Sequence, residues 1–181
     1  MRIALLGPAY PFRGGIAKHT GMLCRALEKQ GHSFRLFSFL KQFPTWLFPG
    51  VTQFDISEQA DQLETVRIFT PWNPLSWGKT AKAVQQFQPE VLLCVWWTPF
   101  TGAGYAVVCA MLPKVKKLFL LHNVIPHEGM PLKRFFTKLA LNKADGYIVQ
   151  SSQVEDELKE FLPTAAGKWR AKVPHPVYDF Q

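Results

Sequence analysis

Short apolar runs of strand length alternate with stretches of helical periodicity along almost the whole chain. Residues 1–6 read as an opening strand. Ile16, Thr20, Leu23 and Leu27 then recur at helical spacing, with Lys18, Arg25 and Lys29 on the opposite side, and Gly31 stops that helix. Residues 33–40 predict a second, Phe-rich strand and 66–69 a short third. Ser76 is predicted to cap a helix that runs to Gln88 and ends at Pro89. Residues 91–96 form a continuous apolar run, the pattern of a strand buried on both faces of a parallel sheet. Residues 103–112 are apolar nearly all round and predict a buried helix, and 118–121 another buried strand. Residues 132–142 predict a basic amphipathic helix and 147–149 a strand. Ser152-x-x-Glu155 reads as a capping box for a helix to Leu162, and 169–173 as a last strand.

This alternation predicts one α/β domain, a Rossmann-like doubly wound parallel sheet. Such sheets bind ligands just past the carboxyl ends of their strands. That rule selects Arg13, Gly14 and Gly15 after the first strand, and Pro71, Trp72 and Asn73 after the third. It selects Trp97 and Thr98, then His122 and Asn123, then Ser151 and Ser152 after the next three. These groups are expected to crowd along one edge. The single long irregular stretch, 41–64, carries Phe43, Trp46, Phe48 and Phe54 and is expected to fold over something rather than stay disordered.

Composition narrows the picture. The chain has 181 residues, 48% of them hydrophobic, enough for one domain with a core. No repeat or low-complexity segment interrupts it. Cys24, Cys94 and Cys109 are odd in number and far apart, which suits a reducing cytoplasm and no disulfide framework. No charged residue occurs between Glu90 and Lys114, a length that could span a bilayer. Thr98-Pro99, Gly102 and Gly104 interrupt it, so strand, loop and buried helix is the expected reading. The opening apolar run is too short for a signal peptide.

Chemistry concentrates at two places. Gly14-Gly15 follows the first strand and starts a helix, where backbone N–H groups and the helix dipole can meet an anion. The alternative is a glycine turn that merely begins a helix. Neither the Gly-x-Gly-x-x-Gly fingerprint nor a Gly-Lys-Ser/Thr loop is present, which argues against a nicotinamide oxidoreductase or a kinase. His122 ends a strand of buried leucines. Its imidazole can donate a hydrogen bond or buffer charge, or it can simply be satisfied by backbone. A His122–His127–Glu128 metal site is given little weight, because the two histidines sit on a proline-containing loop. Lys18 and His19, one turn into the first helix, read as solvated helix residues.

The Gly14-Gly15-Ile16 turn, the His122-Asn123 strand end and the closing Val173-Pro174-His175-Pro176-Val177-Tyr178 together carry a resemblance. The chain resembles the N-terminal domain of a GT-B glycosyltransferase of the large retaining family 4. The stretches Lys41-Gln42-Phe43-Pro44 and Leu47-Phe48-Pro49-Gly50 are similar to a subset of these enzymes. The resemblance implies two Rossmann-like domains across a cleft, with the second holding most of a nucleotide-sugar through a basic residue and a Glu-x7-Glu motif. The eight glutamates of this chain contain no pair eight apart. The expected division is therefore 1–173 as the acceptor-side domain and 174–181 as the start of a linker, with the donor domain absent.

Carried over by resemblance, Gly14 and Gly15 would line the donor's phosphates, and His122 would act catalytically by stabilising charge near the transferred sugar. No cofactor and no metal would be needed, since the nucleotide-sugar is a substrate. Arg13, Trp72, Asn73, Trp97, Thr98, Asn123 and Ser151 are acceptor-side candidates by sheet position alone. The implied activity is transfer of a sugar from a nucleotide-sugar to a saccharide or lipid-linked acceptor, as in polysaccharide biosynthesis, with this chain alone inactive.

Charge adds a second theme. The formal net charge is +8. From Lys114 to Lys143 there are seven Lys/Arg against one acid, Glu128. The 132–142 helix sets Leu132, Phe135, Phe136 and Leu139 beside Lys133, Arg134 and Lys138. That suits either a helix on an anionic membrane surface or a core-facing helix with a solvated basic side. The aromatics are not interleaved with the basic residues as nucleic-acid binding requires, so nucleic acid is not an expected partner. A cytoplasmic protein, peripheral at the inner face of the membrane, is the expected location. The competing reading is a stand-alone module of this fold that binds an anion or a membrane without catalysis.

Overall fold

Strand β4 (Val91–Trp96) is buried at every position, and the rest of the domain is laid down around it. In the computed structural model the described residues are 1–44, 54, 63–125 and 132–174. Chain order is β1 (Arg2–Leu6), α1 (Gly15–Lys29), β2 (Ser33–Phe39), β3 (Thr65–Phe69), α2 (Pro74–Phe87), β4, α3 (Gly102–Ala110), β5 (Lys116–Leu121), α4 (Lys133–Leu141), β6 (Gly146–Val149), α5 (Ser152–Phe161) and β7 (Trp169–Lys172). The seven strands form one sheet in the order β3-β2-β1-β4-β5-β6-β7, and every pairing is parallel. Each strand and helix anticipated from the apolar pattern is present.

Successive side chains of a strand point to opposite faces. Ala4 and Leu6 of β1, Leu92, Cys94 and Trp96 of β4, and Phe119 and Leu121 of β5 enter one core with α2, α3, α4 and α5. Ile3 and Leu5, Leu93 and Val95, and Leu120 enter a second core on the side of α1, with Cys24. A sheet with apolar groups on both faces is the reason β4 reads as an unbroken run rather than an alternating one.

The stretch without charge between Glu90 and Lys114 is β4, a 3-10 turn at Pro99–Thr101 and α3. Among the described residues no helix is long and apolar enough to cross a membrane. Cys24, Cys94 and Cys109 are all buried, and none of them is in a disulfide. Burial pushes the Cys94 thiol well up from its ordinary value, helped by its hydrogen bond with Cys109, and burial pushes the Tyr105 hydroxyl up in the same way.

Two capping assignments from the sequence are corrected. Helix α2 is capped by Asn73, whose Oδ1 accepts from the Leu75 N–H at 3.1 Å. Ser76 lies inside the helix and buried, its Oγ donating toward the carbonyls of Asn73 (2.7 Å) and Thr70 (3.0 Å). Helix α5 is capped by Ser151, whose Oγ accepts from the Val154 N–H at 3.2 Å. Ser152 Oγ instead accepts from Lys172 Nζ (3.1 Å), and Glu155 pairs with Lys159 (2.9 Å) and Arg170 (3.9 Å). In both cases the cap falls on the last extended residue before the helix, which propensity alone did not locate.

Trp46 and Phe48 of the aromatic stretch, His127 and Glu128, and the segment 175–181 expected to begin a linker lie outside the described residues.

Candidate functional site

Because all seven strands are parallel, their carboxyl ends share one edge, and the chain's polar strand-end residues are gathered there. The edge is built first by β1. Gly7 follows it directly, and a Cβ there would stand 2.7 Å from Val95 Cβ, so only glycine allows the close approach to β4. The chain turns through a cis Tyr10–Pro11 bond and reaches Gly14 at φ 122°, ψ 160°. That conformation disfavours any side chain, although open space surrounds the position. Helix α1 starts at Gly15 with no side-chain cap and no acidic residue in its first turn. Its positive pole is therefore not neutralised by its own first turn, and exposed Arg13 and Lys18 flank it.

His122 stands one residue past β5, where its N–H donates to the Trp96 carbonyl at 3.0 Å and extends the ladder to β4. It is half-buried. Asn123 donates its side-chain amide to the Trp97 carbonyl at 3.0 Å, tying the ends of β4 and β5 together. The expectation that Lys18 and His19 are both solvated holds for Lys18 and fails for His19. His19 is only 7% exposed, and its ring meets that of His122 edge to face, with centroids 5.0 Å apart and planes at 86°. On its other side His19 Nε2 lies 3.2 Å from Gln150 Nε2, and Gln150, the residue after β6, is also buried. Gln150 was not singled out from the sequence, and His19 was read there only as a solvated helix residue. The signal was strand alternation: on β5 and β6 the residues facing α1 are Leu118, Leu120 and Ile148, and the next in step are His122 and Gln150.

Over β2, β3 and β4 the same edge is aromatic. Phe12, Phe39 and Phe69 pack in T-shaped contacts, and Phe39 meets Trp97 at 5.5 Å. Phe54 of the irregular stretch returns to pair with Phe12. Further out, Phe100 lies 5.7 Å from both Phe43 and Trp72. Trp72 is exposed and Trp97 and Thr98 are half-buried. The edge thus brings Trp97 near Asn123 and Trp72 near Phe100, while Arg13 stands exposed beside the start of α1. Asn73 and Ser151 serve as helix caps at this edge. Among the described residues no three His, Cys, Asp or Glu side chains are grouped as a metal site would require.

Residues 14–175 match the family model described as "Glycosyl transferase 4-like domain". No curated protein matches the sequence. Among solved structures, the fold is similar to an alpha-glucosyltransferase in complex with UDP and a 13-mer DNA containing an HMU base, with TM-score 0.61 and 15% identity. That match covers 94% of this chain and 42% of the other, so the chain spans well under half of that relative's length. A sucrose-phosphate synthase from Thermosynechococcus elongatus gives TM-score 0.54 and 17% identity over 98% of this chain and 90% of that one. A MurG from Acinetobacter baumannii gives TM-score 0.52 and 10% identity over 84% and 42%. At these identities the likeness is one of fold, the Rossmann-like sheet of GT-B glycosyltransferases.

Proposed function

This chain belongs to the glycosyl transferase 4-like domain family, and from that premise we propose that it is the acceptor-side domain of a retaining glycosyltransferase that takes its sugar from a nucleotide donor. The observation that carries the proposal is that helix α1, which starts at the Gly14-Gly15 turn on this sheet edge, carries His19 one turn on against the His122 imidazole. The helix start offers backbone N–H groups and a positive dipole to a diphosphate. The imidazole offers a hydrogen-bonding group at the same edge, where the transferred sugar would lie. In a retaining reaction charge separates as the sugar leaves the nucleotide, and fixed dipoles already aimed at the leaving group lower that barrier. A second Rossmann-like domain would hold the rest of the donor, so the isolated chain is expected to bind donor weakly and to transfer nothing. Trp72, Asn73, Trp97, Thr98, Asn123, Ser151 and Arg13 border the space left for the acceptor.

The test uses the full reading frame that contains this chain, assayed for nucleotide release from a panel of nucleotide-sugars. His122→Ala is expected to lower turnover by a factor of about a hundred or more, with the melting temperature unchanged. Turnover equal to wild type would remove His122 from the site. Absence of any transfer, with all donors and with candidate acceptors, would remove the proposal.

A second reading concerns where the domain works. Helix α4 buries Thr137, Ala140 and Leu141 against the core, yet leaves Phe135 58% exposed, and Leu132 at its cap 69% exposed. Exposed Arg134 and Lys138 lie on the same helix. Apolar side chains in water beside cations are the pattern of an interfacial helix, and each basic residue near an anionic surface contributes about 1 kcal/mol. We take α4 as a peripheral contact to anionic lipid, which suits a lipid-linked acceptor. Flotation with phosphatidylglycerol vesicles is expected to carry the wild-type chain upward at low salt and the Leu132→Ser/Phe135→Ser variant much less. Equal flotation of both, or of neither, would sink the idea.

A further inference from the structure

We propose that His19 is a positioning residue for His122, with Gln150 locking the His19 ring in turn. The proposal deepens the reading of His122 as the group that meets the donor sugar, and rests on it for its consequence in catalysis.

β5 and β6 pair Leu118 with Gly146, Phe119 with Tyr147, Leu120 with Ile148 and Leu121 with Val149. One step further, His122 stands opposite Gln150, and alternation sends both toward α1. Helix α1 presents His19 to that gap on its buried side, with Ala17, Thr20 and Cys24 also buried. Three elements that are distant in sequence therefore enclose one imidazole.

A histidine buried at this point is an unusual choice. An apolar residue would fill the space without a polar ring to satisfy, since unpartnered buried polar groups cost stability. His19 has two defined neighbours instead. Gln150 reaches its Nε2 at 3.2 Å. With the amide nitrogen donating, Nε2 accepts and the ring proton of neutral His19 sits on Nδ1. With the amide turned over, its carbonyl accepts from Nε2–H. Either arrangement selects one tautomer and one ring plane. That fixed plane lies at 86° to the ring of His122, a geometry aromatic rings prefer, and it restricts the rotation of His122 about its own bonds. Half-buried His122 is thereby held facing the sheet edge rather than free to sample rotamers. His19 follows the Gly14-Gly15 turn by one helical turn. The same helix thus carries the anion-facing start and the brace for the imidazole beside it, which sets the distance between the two.

Two measurements test this. The first uses the 181-residue chain, labelled with 15N, and reads the ring nitrogens of His122 from long-range proton–nitrogen spectra. Wild type is expected to show a single sharp tautomer for His122. His19→Ala is expected to give exchange-broadened or averaged ring signals at His122, whereas His19→Phe, which keeps an edge-to-face ring, restores sharp ones. Identical His122 spectra in wild type and His19→Ala would overturn the proposal, as would failure of phenylalanine to restore them in a folded protein. The second measurement uses the full-length enzyme. His19→Ala is expected to lower kcat by about tenfold to a hundredfold with donor KM unchanged, and His19→Phe to recover most of it. A loss confined to KM, or no loss while His122→Ala is inactive, would also overturn it. If His19→Ala disturbs the His122 ring but His122→Ala leaves turnover intact, the catalytic reading of His122 fails and the positioning contact stands.

Discussion

At Gly14 the backbone itself limits what the sequence can hold. Its φ of 122° lies where side chains are strained, while nothing stands within 4 Å of a Cβ placed there. Gly14→Ala therefore isolates backbone strain from crowding, and is expected to destabilise the domain by about 1–2 kcal/mol in denaturant unfolding. An unchanged midpoint would mean that the turn relaxes at no cost. The place of the Gly-Gly pair, at the start of α1, was legible in the sequence, because a helical run follows it directly. His122 was legible too, as a polar residue ending an apolar strand. His19 was not, for its neighbours in sequence are Lys18 and Thr20, and one exposed lysine made the pair look solvated. Helical position alone leaves a residue at the margin of the buried face, and what lies opposite it decides the outcome.

Elements were recognisable from period, and their ends were not. Helix α5 offered two adjacent serines, and the chain uses Ser151 for the cap and Ser152 for Lys172. Ser151→Ala is expected to cost about 1 kcal/mol, and Ser152→Ala only a few tenths, because an exposed Lys–hydroxyl bond contributes little. Equal effects in thermal or denaturant unfolding would return the cap to an undecided state. Ser151 is also among the residues proposed to border the acceptor, so a fall in transfer beyond its loss of stability would mark a second role. Helix α4 shows the opposite case. Its amphipathic pattern was clear from the sequence, but whether Leu132 and Phe135 served the core could not be read from spacing. They do not: Thr137, Ala140 and Leu141 approach the core, and Phe135 stays outside.

At the scale of the molecule, the core that β4 shares with α2, α3, α4 and α5 sets how stability responds to pH. Cys94 and Tyr105 are fully buried, and burial raises both well above their ordinary values. A group with a raised folded pKa contributes stability that is fully present below its unfolded pKa and is lost as pH rises above it. The unfolded values are about 8.5 for cysteine and about 10 for tyrosine, so the loss begins near pH 8 to 9. The melting temperature is expected to fall steadily from there to pH 10.5, and more shallowly in Cys94→Ala once its lower starting value is subtracted. A flat profile for the wild-type chain would contradict the burial of these groups.

The parallel α/β plan, the order of elements and the edge on which the strand-end residues gather were determined by the sequence itself. Apolar period distinguishes strand from helix, and a parallel sheet can place its loops in only one way. The tertiary structure alone decided which edge residues touch. The pairing of His19 with His122 and Gln150 joins positions more than a hundred residues apart. It depends on the register between β5 and β6 and on the rotation of α1 about its axis, and packing sets both of these.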